Sequence, residues 1–237
     1  MGMFSNQDAV SRVSHELRTP LNAILGFGEL LALDQLSDSQ RHSVEQILAG
    51  GRHLLALVED LMDFSRLAAD NLELAAQPVD LATEVAQAAA LCGPLAAERS
   101  LSVTVETGEG PLWTRADPRR LKQVLLNLIS NAIKYNSSGG SLSLRAHAGS
   151  DDQVRIEVID TGPGLTESEL DRLFVPFERL SAPRRGIEGR GLGLAVSKAV
   201  AEAMDGRIAV ASTRGVGSMF TLRLPSAEPA PALAAVA

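Results

Sequence analysis

The apolar residues of this 237-residue chain change their period once, near residue 70, and that change limits what the chain can fold into. From about Asp8 to Leu33 the positions Val10, Val13, Leu17, Leu21, Ile24, Leu25 and Leu31 recur at steps of three and four, as one helix face requires. Asp34 to Ser37 break the repeat, and Ser37 with Gln40 reads as a capping box opening a second helix. Val44, Ile47, Leu48, Leu54, Leu55, Val58, Leu61 and Met62 then carry the seam to about Leu67. Two long helices with a short connection predict an antiparallel hairpin, and stripes this wide need more cover than one hairpin supplies. A second copy supplies it, so residues 1–70 are expected to form a homodimeric four-helix bundle with the seam residues pointing inward. Gly50 and Gly51 inside the second helix cost roughly 1 kcal/mol each relative to alanine. Close helix packing and a bending point both account for them.

Past Asp70 helices and strands alternate. A short strand is expected near Leu72 to Ala76, then a helix from about Leu81 to Glu98, and strands at Leu101–Val105 and around Trp113. Asp117-Pro118 opens a helix to about Tyr135, with Asp117 as cap and proline in the first turn. Strands at Leu142–Ala146 and Val154–Asp160, a helix at Leu192–Met204, and a hairpin of Ile208–Ala211 with Met219–Leu224 complete residues 71–226. Helices segregated from antiparallel strands imply a two-layer α/β sandwich. Residues 227–237 are mostly Ala and Pro and read as a disordered tail.

The first helix carries Ser14-His15-Glu16-Leu17-Arg18-Thr19-Pro20-Leu21-Asn22. Imidazole is nucleophilic and titratable near neutral pH, and a neighbouring carboxylate can hold one ring proton while the other nitrogen attacks. A lone His-Glu pair is equally a helix surface. Pro20, however, sits inside an otherwise helical pattern and removes a backbone donor just after the histidine, a cost that a plain packing helix avoids.

Further along, Asn127, Asn131, Lys134 and Tyr135 share one helix face while Leu121, Leu125, Leu128, Ile129 and Ala132 share the other. A solvated surface is one reading of that polar face. A Mg2+ site is another, because an amide oxygen is a hard donor suited to a cation that keeps waters and phosphate oxygens around it. Asp160-Thr161-Gly162-Pro163-Gly164 follows a strand and is either a plain turn or an adenine site. A buried carboxylate accepts the exocyclic amino hydrogen of adenine and repels the guanine carbonyl, and Gly162 and Gly164 let the backbone approach the base. Gly189-Arg190-Gly191-Leu192-Gly193 precedes a helix whose free amides and positive end can meet phosphates. No strand directly precedes it and no Gly-Lys-Ser/Thr follows, which argues against dinucleotide-binding and P-loop readings.

Together these runs resemble the cytoplasmic core of sensor histidine kinases over nearly the whole chain. The first run matches the phosphoacceptor pattern S-H-E-L-R-T-P-L-N at every position, and the others match the asparagine and glycine boxes of a Bergerat (GHKL) ATP-binding module in the family's order. The resemblance implies ATP and Mg2+, with His15 as phosphoacceptor, Glu16 as base and Asn131 as metal ligand. It places Asn127, Lys134, Tyr135, Gly162, Gly164, Arg179, Gly189, Gly191, Leu192 and Gly193 around the nucleotide, and sets Asp160 on adenine with Thr221 supporting it through water. Leu173–Leu180 and Pro183–Gly186 look like the hinge and lid over the triphosphate, and Gly215, Gly217 and Ser218 fit the last glycine box. Arg190 departs from the family, which commonly has threonine there. Thr19, one turn from His15, resembles the position that orients water for dephosphorylating a response regulator. The implied partners are a second copy, a response-regulator receiver domain and a sensory input domain or sensor protein outside this chain.

A net charge of -7 with interspersed signs argues against a nucleic-acid binder. Cys92 is the one cysteine, which excludes an internal disulfide and fits a packed thiol in a reducing compartment. The absence of an apolar run of about 20 residues or a signal peptide leads to the expectation of a cytoplasmic protein with no direct membrane insertion. Two other readings use the same nucleotide residues: an ATP-driven conformational protein, and a scaffold that relays signal by dimer shape.

Overall fold

The computed structural model describes residues 6–67, 74–108, 110, 112–149, 152–178 and 191–229, and the side chain of His15 lies outside the described set. The chain divides into two compact units, Met1–Leu72 and Glu73–Ala237.

The first unit is a hairpin of α1 (Asn6–Ala32) and α2 (Asp38–Leu67), and α1 runs through Pro20. The capping box forms at its turn: Ser37 N–H donates to Gln40 Oε1 at 3.0 Å, and Gln40 N–H donates to Ser37 Oγ at 3.4 Å. Leu25, Val44 and Leu48 make the buried core, with Leu36 and Leu55 packed against it. A Cβ on Gly51 would lie 2.8 Å from Leu25 Cδ2, whereas one on Gly50 would meet nothing within 4 Å. Gly51 is therefore a close-packing residue. The seam is only partly inward: Leu21 and Leu25 are buried while Leu17, Ile24, Leu31, Ile47 and Leu54 are exposed, because two helices cover one stripe each.

The second unit contains β1 (Gln77–Asp80), α3 (Leu81–Glu98), β2 (Ser102–Thr107), β3 (Trp113–Ala116), α4 (Pro118–Lys134), β4 (Ser141–Ala148), β5 (Gln153–Asp160), α5 (Glu167–Arg172), α6 (Gly193–Ala203), β6 (Arg207–Thr213) and β7 (Gly217–Pro225). Five strands form one sheet in the order β2-β4-β5-β7-β6, and β1 pairs with β3 in a separate ribbon. Leu142, Leu144, Val154, Ile156, Val158, Phe220, Leu222 and Leu224 alternate onto one face, where α3, α4 and α6 bury them. That is the two-layer sandwich. Pairing is antiparallel except between β2 and β4, which run parallel because β3 and α4 intervene between them.

One expectation changes, and two features go beyond what the sequence indicates. The strand expected near Leu72 to Ala76 starts instead at Gln77, with 72–73 outside the described residues; Pro78 is tolerated in a two-stranded ribbon because its missing N–H can face outward. Helix α5 has no apolar repeat to announce it, yet Thr166 and Glu169 close a complete capping box. Val103 and Val105 sit on the core face but remain exposed, since β2 is an edge strand.

Asp117 does more than cap α4. Its Oδ1 accepts N–H bonds from Arg119 at 2.9 Å and Arg120 at 3.2 Å, and its Oδ2 accepts the Ala75 N–H at 3.1 Å, tying the incoming chain to the helix start. Burial pushes the carboxyl up, but those three donors and the Arg120 guanidinium outweigh it, and its pKa falls below the ordinary carboxylate value. No helix among the described residues is long and apolar enough to cross a membrane.

Candidate active site

Three elements of the second unit converge: the polar face of α4, the β5 end with its loop, and the start of α6. On α4, Asn127 Nδ2 donates to Ser197 Oγ of α6 at 2.8 Å, and Asn131 Nδ2 donates to Asn127 Oδ1 at 3.4 Å. These bonds leave the Asn131 amide oxygen as a hard donor. A Cβ on Gly193 would fall 2.4 Å from Asn127 Oδ1, so any side chain there would push the Asn127 amide out of its place. Lys134 and Tyr135, both half-buried, end the helix; the Lys134 carbonyl accepts Arg99 Nη1–H at 2.8 Å, and Tyr135 N–H bonds to the Asn131 carbonyl at 2.9 Å.

Asp160 is 8% exposed at the end of β5, where its Oδ1 accepts the Gly162 N–H at 2.8 Å. Burial raises its pKa, and the Gly162 and Ser218 backbone N–H groups only partly offset that. The site thus holds a desolvated acceptor, which suits a neutral amino donor such as that of adenine. A Cβ on Gly162 would lie 2.7 Å from Asp160 Oδ1 and 2.9 Å from the Tyr135 carbonyl, so this glycine joins the α4 and β5 ends. Gly164, at φ +63°, passes the Thr213 carbonyl too closely for any side chain.

The α6 start carries no side-chain cap, so its amides and positive helix end are available to an anion. Gly191 sits at φ +70° and accepts the Phe177 N–H at 2.9 Å. Leu192 is 2% exposed and belongs to the core, so only its backbone can face a ligand. Arg179, Gly189 and Arg190 lie outside the described residues.

Thr221 is a correction. Strand pairing sets Asp160 opposite Ser218, while Thr221 pairs with Glu157 three residues further along β7. Side chains alternate along a strand, so Thr221 projects from the other face of the sheet and cannot support Asp160. Ser218 holds that place: it is buried, its backbone N–H favours the charged carboxylate, and its Oγ lies 3.0 Å from Ser212 Oγ. Counting the two-residue period back from Leu224, Leu222 and Phe220 reaches Ser218 from sequence. Ser197 was also missed, and no local pattern distinguishes it within α6.

In the first unit, Glu16 and Thr19 are exposed on α1, and Thr19 follows His15 by four residues. Among the described residues no group of three His, Cys, Asp or Glu side chains could hold a metal ion, so a metal would rely on Asn131 and ligand oxygens.

A family model described as the His Kinase A (phospho-acceptor) domain matches residues 5–70, and one described as histidine kinase-, DNA gyrase B- and HSP90-like ATPase matches residues 116–228. The cell-division control histidine kinase PdhS of Brucella anthropi is 36% identical over 229 residues, covering 91% of this chain and 22% of its own length. The histidine protein kinase DivJ of Caulobacter vibrioides is 36% identical over 219 residues, covering 91% of this chain and 36% of its own length. The chain thus spans well under half of these curated relatives. A solved structure of full-length ShkA in complex with AMPPNP superposes with a TM-score of 0.83 at 35% identity, over 96% of this chain and 47% of that one.

Proposed function

The chain belongs to the sensor histidine kinases, and from that premise we propose that it autophosphorylates His15 from ATP and passes the phosphoryl group to an aspartate of a response-regulator receiver domain. The observation that carries the reading is the desolvated Asp160 acceptor in one unit with the Asn127–Asn131 face and the uncapped α6 start. Asp160 accepts the adenine amino hydrogen, Ser218 holds Asp160, and Gly162 and Gly164 clear room for the base. The α6 amides, Lys134 and Arg179 balance phosphate charge, and Gly189, Gly191 and Gly193 let the backbone approach. Asn131 would hold Mg2+, which supplies charge neutralisation on the phosphates when bound.

One ring nitrogen of His15 attacks the γ-phosphorus and the bond to the β–γ bridging oxygen breaks, releasing ADP. Glu16 takes the proton from the other ring nitrogen. Thr19 orients water when the regulator is dephosphorylated. Residues 1–70 act as the phosphoacceptor and dimerisation module, 71–226 as the ATP-binding module and 227–237 as a tail, in the cytoplasm, with input from a sensory domain or partner. The exposed stripe of Leu17, Ile24, Ile47 and Leu54 is the surface a second copy covers in a four-helix bundle. The phosphoacceptor match over residues 5–70 speaks against an ATP-driven conformational protein that lacks phosphotransfer.

Incubation with γ-labelled ATP and Mg2+ tests this. Acid-labile, base-stable label is expected on the parent chain, and His15→Gln should abolish it while leaving ATP binding intact. Acid-labile label persisting in the variant refutes the assignment.

A further inference from the structure

The outer face of the five-stranded sheet, away from the helices and from Asp160, carries an unusual row. Strand pairing aligns Arg155 of β5 with Arg223 of β7, and Arg223 with Arg207 of β6. His147 of β4 pairs with Arg155 at the end of the same row. Like charges directly opposite one another on adjacent strands destabilise a sheet. Of the acidic groups nearby, Glu157, one row along, lies 3.4 Å from His147 Nε2, and Glu106 pairs with Arg145 at 3.0 Å. The Arg155 side chain turns back over the β4–β5 turn, where a Cβ on Gly149 would lie 2.8 Å from its Nε. Arg223 and Arg207 have no side-chain hydrogen bond or ion pair with any described residue, and the Arg223 Nε is both buried and unbonded. The guanidinium groups of Arg223 and Arg207 therefore bring positive charge to this face that no described carboxylate balances.

We propose that this face, along Arg223 and Arg207, docks an acidic amphipathic helix of a protein partner. Adjacent strands lie about 4.8 Å apart, so Arg223 and Arg207 present their cations from neighbouring strands at about that interval. Acidic residues three and four apart on a helix are spaced by about 5–6 Å, whereas alternate residues of an extended strand are about 6.8 Å apart. A helix laid across the strands matches the row better. Beside them Thr221 and Ala209 continue the next row, whose β5 member is Glu157, and Ile159, Met219 and Ala211 form the one after, so the low, partly apolar strip lies on β7 and β6. An amphipathic helix, about 10–12 Å across, reaches from the arginines onto that strip. The docking face is separate from the nucleotide residues, so its loss leaves ATP binding unchanged.

The test uses the full chain and a stapled helical peptide with glutamates along one i, i+4, i+7 row and leucines beside them, followed by fluorescence anisotropy. The parent chain is expected to bind it, with amide shifts of Ala209, Thr221 and Arg223 moving on titration. Arg207→Gln with Arg223→Gln should weaken binding about tenfold while nucleotide affinity holds. Three results overturn the proposal: equal affinity of the double variant, equal affinity of a peptide with lysines in place of the glutamates, or equal affinity of an extended proline-interrupted peptide of the same charge. Displacement by inorganic phosphate beyond that caused by sodium chloride of equal ionic strength also overturns it, in favour of a phosphate site.

Discussion

Replacing Asp160 with asparagine sets a ligand contact against a structural one at the same atom. The carboxylate accepts the Gly162 N–H at 2.8 Å, and the Ser218 backbone N–H also favours its charged form. Asparagine keeps one carbonyl oxygen and turns an NH2 group toward the second donor, and an orphaned buried N–H costs about 1–3 kcal/mol. Against this, the substitution removes a buried charge, one that burial disfavours strongly enough to hold the Asp160 pKa above the ordinary carboxylate value. The terms oppose, so net stability at neutral pH should change by about 1 kcal/mol or less. The nucleotide has no such compensation. Losing a charge-assisted acceptor for the adenine amino group costs about 1.5–3 kcal/mol, or roughly 10–150-fold in Kd.

The pH dependence has a definite sign. With a folded-state pKa above the unfolded one, the contribution of Asp160 is fully present below the unfolded pKa and is lost as pH rises through the folded value. The parent chain should therefore gain stability relative to Asp160→Asn as pH falls from neutral into the carboxylate range. Calorimetric ATP titration and thermal melts between neutral pH and the carboxylate range measure both quantities. A melting point several degrees lower with affinity within threefold of the parent would show that Asp160 holds a turn and nothing more.

Ser218→Ala keeps the backbone donor but removes the hydroxyl beside Ser212, and ATP affinity should fall more than for Thr221→Ala; the reverse order in parallel titrations would restore Thr221 to the site. Gly193→Ala gains up to about 1 kcal/mol of helix propensity yet forces Asn127 aside, so melting should hold while nucleotide affinity drops about tenfold; unchanged affinity would remove the Asn127 face from the site. Asp117→Ala should cost about 1–2 kcal/mol at neutral pH, from the lost cap and the freed Ala75 N–H. Because the Asp117 pKa is depressed, that cost should shrink as pH falls through its folded-state value, and a pH-independent difference in urea melts would contradict the role of its charge.

The hairpin, its capping box, the Asp117-Pro118 helix start and the glycine loop before α6 could all be read from the sequence by itself. Each depends on residues within one or two turns of each other, and periods of 3.6 and 2 record such neighbours directly. The order of the nucleotide runs was equally plain, since residue type and spacing carry it. The tertiary structure alone decided how distant residues meet: Asn127 with Ser197, Gly193 against Asn127, Ala75 on Asp117 and the parallel pairing of β2 with β4. It also moved the support of Asp160 from Thr221 to Ser218 and aligned three arginines across β5, β7 and β6. A strand's own alternation says which residues share a face but not what lies opposite them. Register is set by burying whole apolar faces together, and a one-residue shift sends every side chain to the other side of the sheet.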